Sequence, residues 1–90
     1  MENTLPACCY LLRCAGGSFY CGWTFDLEKR VTDHQNGKGS RYTRSHLPVE
    51  LVYYETCHDR ASAMRREREI KKMSHAQKEL LVEGFKNHDA

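Results

Sequence analysis

The sequence predicts an α+β domain, a small antiparallel sheet covered by helices in the order β-β-α-β-α-α. Three observations carry that prediction. Two short apolar runs, residues 8–14 and 18–22, flank the pair Gly16-Gly17, the pattern of an antiparallel hairpin. Residues 49–57 form a third run with the alternation and the aromatic and β-branched content of a strand. Helical spacings bounded by capping residues fill the remainder.

Residues 1–6 read as a lead-in, residues 7–14 as the first strand and 18–24 as the second. The hairpin loop decides which side chains meet. With Gly16-Gly17 alone as the loop, Tyr10 and Tyr20 fall on opposite faces. With Ala15-Gly16-Gly17 and a left-handed Gly17, Leu12 faces Tyr20 and Tyr10 faces Gly22, so both phenols share a side. The second loop is favoured because it uses a glycine where φ > 0 is required. The first helix starts at an N-cap of Thr24 or Asp26 and stops at Asn36-Gly37. Leu27, Val31 and His34 lie at i, i+4 and i+7 on its buried stripe, with Arg30 beside them, one turn from His34.

A flexible, basic loop leads to the third strand, with Val49, Leu51 and Tyr53 on one face and Glu50, Val52 and Tyr54 on the other. Asp59 caps a second helix whose apolar stripe is Ala63, Met64 and Ile70. Glu67 falls on that stripe, where a carboxylate needs a partner: Lys71 one turn on, an arginine from another element, or a divalent cation. Ser74-His75-Ala76-Gln77 has the form of a capping box and opens a third helix. Ala76, Leu80 and Leu81 dock that helix, Gly84 ends it near Phe85, and residues 86–90 fray.

Ninety residues make one domain, 1–90, with its core over about 7–83. A composition 40% apolar and 29% charged describes a soluble globular protein. No apolar run approaches the roughly 20 residues of a membrane span, and the start lacks a secretory signal. A cytoplasmic location is therefore expected. Five cysteines, an odd number without a Cys-x-x-Cys pair, fit reduced, packed thiols. A zinc site from Cys8, Cys14, Cys21 and a histidine lacks the spacing of a zinc knuckle. The net charge of +2 is too small for a general nucleic-acid claim. Its distribution says more: between Asp33 and Glu50 there is no acid, while Lys38, Arg41 and Arg44 stand among glycines and hydroxyls. That segment suits phosphate oxygens, or is merely a solvated loop.

The hairpin Cys8-Cys9-Tyr10 … Tyr20-Cys21-Gly22, then Arg30 and His34, then Glu67, resembles the GIY-YIG nuclease superfamily. The likeness is to its small, stand-alone bacterial members and covers about residues 8–82. The segment Gly37-Lys38-Gly39-Ser40-Arg41-Tyr42-Thr43-Arg44, the phrase Leu47-Pro48-Val49-Glu50-Leu51-Val52-Tyr53 and Asp59-Arg60 ahead of Glu67 support it. Cys8 stands where the motif name has glycine, and Cys9 and Cys21 replace its isoleucines.

The resemblance implies a three-stranded antiparallel sheet flanked by three helices and a metal-dependent endonuclease, structure- rather than sequence-directed, in DNA repair or recombination. It implies Tyr10 as the tyrosine that activates or positions the attacking water, and Tyr20 as its companion. Arg30 is implied near the phosphate, His34 one turn later, and Glu67 as the ligand of one Mg²⁺ or Mn²⁺ ion. Arg13, Lys38, Arg41 and Arg44 are the expected nucleic-acid contacts. The expected partner is nucleic acid, DNA favoured over RNA, with room for a protein partner, no membrane, and nucleoid association when bound to DNA. Tyrosine is a poor base at a pKa of about 10, and histidine at about 6.5 a more natural proton carrier, so the base is Tyr10 or His34. The competing class is a non-catalytic nucleic-acid-binding module of the same fold. A third is an interaction protein whose Arg65, Arg66, Arg68, Lys71 and Lys72 form a solvated face.

Overall fold

The computed structural model describes residues 6–88. Three antiparallel strands, β1 (Ala7–Arg13), β2 (Phe19–Thr24) and β3 (Glu50–Cys57), form one sheet in the order β2-β1-β3. Helices α1 (Leu27–Gln35) and α2 (Arg41–Arg44) follow β2, and α3 (Arg60–Lys71) and α4 (His75–His88) follow β3. The α+β order expected from the residues is present, with α2 as an added turn. The lead-in expected over residues 1–6 lies, apart from Pro6, outside the described residues.

The hairpin closes through the three-residue loop. Cys14 N–H donates to the Ser18 carbonyl at 2.8 Å and Gly17 N–H to the Cys14 carbonyl at 2.9 Å. Gly16 and Gly17 both have positive φ, 89° and 93°. Gly16, at ψ −6°, has the third-residue geometry of a type II turn, which disfavours a β-carbon as firmly as the position after it does. Leu12 therefore faces Tyr20 and Tyr10 faces Gly22. Both tyrosines lie on one face of the sheet.

Alternation along β1 divides two packed layers. Cys9 and Leu11 join Cys21, Cys57, Ala63, Ile70 and Val82 under α3 and α4. Tyr10 and Leu12 join Cys14 and Val49 under α1, with Leu27, Val31, Tyr20 and Leu51 against them. The strict alternation expected for β3 fails. Leu11 pairs with Tyr53 but Leu12 with Leu51, so Val52 is an extra residue in a β-bulge. Leu51 consequently packs on the Tyr10 face, and Val52 and Tyr53 on the opposite one.

The helix ends follow their capping chemistry. Asp26 accepts from Lys29 N–H at 3.2 Å, and Asp59 from Ser62 N–H at 2.8 Å. α1 stops in a Schellman motif, with Gly37 N–H on the His34 carbonyl and Lys38 N–H on that of Asp33. Ser74 and Gln77 exchange both bonds of a capping box.

Four expectations are corrected here. The basic loop is not a flexible coil: Ser40 and Thr43 close their own capping box and wind Arg41–Arg44 into a helical turn. Met64 is exposed, leaving Ala63 and Ile70 as the buried stripe of α3. Gly84 does not end α4, which runs to His88, so the fraying predicted from residue 86 does not begin there; residues 89 and 90 lie outside the described residues. One glycine costs a helix only about 1 kcal/mol. Beyond it Phe85 anchors the helix edge-on against Tyr53 and Tyr54, at 5.6 and 5.2 Å between ring centroids. The same docking turns Leu81 and Val82 inward and leaves Ala76 exposed and Leu80 71% exposed. No helix among the described residues is long and apolar enough to cross a membrane.

Candidate active site

The Tyr10 face carries a buried polar chain. Tyr10 exposes 1% of its surface and His34 none, and Tyr10 Oη lies 2.9 Å from His34 Nε2. His34 Nδ1 lies 2.8 Å from Oγ1 of the fully buried Thr43. The tautomer that satisfies the whole network carries its proton on Nδ1. Nδ1–H then donates to Thr43, Thr43 O–H donates to the Ser40 carbonyl at 3.3 Å, and Nε2 accepts the Tyr10 O–H. A phenol, a base and a group that orients the base are thus in line.

Sequence and local structure explain the arrangement. His34 ends the buried stripe of α1, and the Schellman turn carries the chain back across its ring. Gly39 makes that close passage possible, because a β-carbon there would run into the His34 ring at Nδ1. A β-carbon at Gly22 would lie 2.5 Å from Tyr10 Oη, so backbone closes over both ends of the pair. The α2 capping box then sets Thr43 against the imidazole.

Burial pushes the Tyr10 phenol up to about 12, reinforced by the neighbouring Tyr20 and opposed by the Arg30 guanidinium. Burial, helped by Arg30, lowers the pKa of His34. The imidazole is therefore neutral near pH 7 and free to accept a hydrogen bond from the phenol. Arg30 also donates to the Gly39 carbonyl at 3.2 Å, which fixes its charge at this cluster. Tyr20 stands 5.0 Å from His34 between ring centroids and is only partly buried, making it the outward phenol.

Four of the five expected catalytic residues, Tyr10, Tyr20, Arg30 and His34, are thus brought together. Glu67 approaches from the other face. Its backbone carbonyl accepts from Cys21 Sγ at 3.9 Å, at the edge strand β2 beside Tyr20. Its carboxylate pairs with Lys71 at 3.4 Å and keeps 22% of its side-chain surface exposed. Among the described residues, no group of three or more His, Cys, Asp or Glu side chains could hold a metal ion. A single accessible carboxylate still fits Mg²⁺, which binds through one or two carboxylates and retains several waters. Lys71, an exposed partner, would have to yield to it.

Lys38, Arg41 and Arg44 line a shallow recess of about 250 Å³ with Gly37, Gly39 and Ser40. Arg13 lies elsewhere. It makes a bidentate pair with Glu79 of α4, both bonds 2.9 Å, and covers the Phe19 ring at 4.7 Å. Its charge is engaged in docking a helix. Arg66, from the candidate interaction face, is likewise bound to Glu55 and Glu69. The five cysteines are free thiols. Cys9 is kept protonated by its hydrogen bond with Cys21 and by burial.

Thr43 is the site residue that sequence reasoning missed. Its signal was present in Ser40-x-x-Thr43, a capping pattern with threonine in place of the usual Glu or Gln.

The GIY-YIG catalytic domain family matches residues 6–79. A UPF0213 protein of Natronomonas pharaonis is 48% identical over 73 residues, covering 81% of this chain and 86% of the relative. Another, from Bacillus pumilus, is 45% identical over 77 residues, covering 86% and 79%. Two solution NMR structures share the fold. The UPF0213 protein BH0048 of Bacillus halodurans has 40% identity, a TM-score of 0.56, and coverage of 87% of this chain and 83% of that one. The protein EF2693 of E. faecalis has 38% identity, a TM-score of 0.61, and coverage of 94% and 91%. The fold is that of a nuclease-type domain, and the chain belongs to the GIY-YIG family. Within that class its similarity is to small UPF0213 proteins of bacteria and archaea.

Proposed function

We propose that this protein is a metal-dependent endonuclease that hydrolyses nucleic-acid phosphodiester bonds, directed by strand structure rather than base sequence, and acting on DNA in repair or recombination. The observation that carries the reading is the 2.9 Å contact between Tyr10 Oη and His34 Nε2, with the imidazole oriented from behind by Thr43. The same contact would satisfy a buried structural phenol; its place beside the Arg30 guanidinium and the partly buried Tyr20 is what favours chemistry.

The roles follow from the chemistry of each group. Tyr10 donates its O–H to the neutral His34, and the phenol oxygen, oriented in this way, helps to position the attacking water on the outward Tyr20 side of the cluster. The two alternatives for the base thereby become one unit: His34 is fully buried and acts only through the phenol. Arg30 offers a permanent charge to the scissile phosphate. Lys38, Arg41 and Arg44 hold flanking phosphates. Glu67 would hold Mg²⁺ or Mn²⁺, which supplies Lewis acidity toward the phosphate when bound. The position of Glu67 beside β2 supports a substrate lying across that sheet edge.

A panel of single-stranded, duplex, flapped and branched substrates with Mg²⁺ or Mn²⁺ tests the reading, with Glu67→Ala run beside wild type. Wild type should cleave, and Glu67→Ala should be slower by about 10³-fold, since Lewis-acid stabilisation is worth several kcal/mol. Both should bind nucleic acid in chelator. Equal products from the two proteins would overturn it, and binding without any cleavage would favour the non-catalytic module.

A further inference from the structure

A run of rings leads out of the buried cluster to the surface. His34 stands 5.0 Å from Tyr20; Tyr20 stands 6.3 Å from Tyr42, their planes 17° apart; Tyr42 stands 4.0 Å from His46 at 14°. The inner end is fully buried, whereas Tyr42 is 40% exposed. Tyr42 and His46 have no part in the hydrolytic roles assigned above.

We infer that Tyr42 and His46 form a stacking surface for an unpaired nucleobase, next to the phosphate held by the basic recess. This rests on the nucleic-acid reading of the same site and narrows its substrate to strands with exposed bases. Two observations argue for it. The first is rigidity. Tyr42 Oη and Ser18 Oγ are 2.6 Å apart, tying the ring to the β1–β2 turn. His46 Nδ1–H donates to the Tyr42 carbonyl at 2.7 Å, and the His46 carbonyl accepts from Ala15 N–H at 2.9 Å. Rings already fixed lose little freedom when a base lies on them.

The second is composition. Tyr42 sits within the turn that carries Arg41 and Arg44, and Lys38 lies just before it. Aromatic faces beside cationic side chains are what a single strand requires, one for the base and the other for the backbone. A stacked duplex offers the phosphates but not the base faces.

Fluorescence anisotropy in chelator, where no cleavage occurs, provides the test. The probes are a short single strand, a duplex, and an abasic strand of equal length that keeps the phosphates. Tyr42→Leu should weaken single-strand binding about tenfold, the usual worth of stacking one base. It should change duplex and abasic binding by less than about twofold, and Tyr42→Phe, which keeps the ring but loses the tie to Ser18, should lose less single-strand affinity than Tyr42→Leu. An equal loss on intact and abasic strands, or no loss, overturns the inference while leaving the nuclease reading intact. Failure of wild type to bind any probe overturns both. Should Tyr42→Leu not fold, NMR of the wild type decides: the single strand should shift Tyr42 and His46 ring protons upfield, and binding that leaves them unmoved overturns the inference.

Discussion

The two faces of the sheet are built from the same strands and do opposite things. Under α3 and α4, Cys9, Leu11, Cys21, Ile70 and Val82 form an apolar layer. Under α1 and α2, Tyr10, His34 and Thr43 are as deeply buried but carry polar atoms, each with a partner. Among the described residues no buried side-chain nitrogen or oxygen lacks a hydrogen bond. An apolar layer tolerates approximate fit, losing stability in proportion to what is removed. A buried polar chain works only when complete, because each missing member leaves its neighbour unsatisfied in a low-dielectric site. One face therefore holds the fold, and the other holds groups in a fixed protonation state.

Removing a single oxygen tests this division most severely. Tyr10→Phe should cut single-turnover cleavage by about 10²-fold, the lower end of the range for losing a positioned acid–base group. It should also cost about 1–3 kcal/mol in denaturant unfolding, because His34 Nε2 loses its donor. Near-wild-type cleavage by this variant would mean that the buried chain is structural alone.

The opposite face should respond in the opposite way. Ile70→Ala removes a fully buried side chain between α3 and the sheet and should cost about 2–5 kcal/mol. Below its melting transition, cleavage per folded molecule should fall far less than in Tyr10→Phe, although Glu67 stands one turn earlier on the same helix. A large loss of activity in fully folded protein would show that the faces are coupled.

Acid should sharpen the contrast, because His34 is the buried base. Its pKa lies below the ordinary value of about 6.5, so the unfolded chain takes up its proton first as pH falls. Stability from this residue is then present above about pH 6.5 and is lost as pH falls toward the folded-state pKa. Cleavage should fall about tenfold per pH unit below that lowered pKa, as protonated His34 ceases to accept the Tyr10 hydrogen bond. Urea melts from pH 7 to 5 should show this slope in wild type and lose it in His34→Gln. An unchanged slope would assign the acid sensitivity to other groups.

What could be read from the residues alone follows the range of the interactions involved. The hairpin loop, the Asp59 cap and the Ser74–Gln77 box are set by neighbours a few positions apart, and all were legible. The shared face of Tyr10 and Tyr20 was legible too, because it depends only on loop length and strand period. The bulge at Val52 was not, since it is a property of two strands in contact. Nor was the 2.8 Å contact between His34 and Thr43, which needs the chain to cross the imidazole at Gly39. The docked stripe of α4 was misread for a related reason. Leu80 and Leu81 are equally apolar, and only the site of Phe85 against Tyr53 and Tyr54 selects between them.

Arg13 gives the smallest expected effect and the finest test of how charge is divided between the faces. In sequence it is one of four cations suited to phosphate; in the fold it is bound bidentately to Glu79, while Arg41 and Arg44 are exposed beside the recess. A phosphate contact releases counterions, so losing one should reduce the salt dependence of binding by nearly one unit of log–log slope. Arg41→Gln should produce that reduction with weaker affinity at low salt. Arg13→Gln should leave both affinity and slope unchanged and loosen only the packing of α4, seen as faster amide exchange in that helix. Matching slope changes in the two variants would mean that nucleic acid draws Arg13 away from Glu79, and that α4 shifts when the substrate binds.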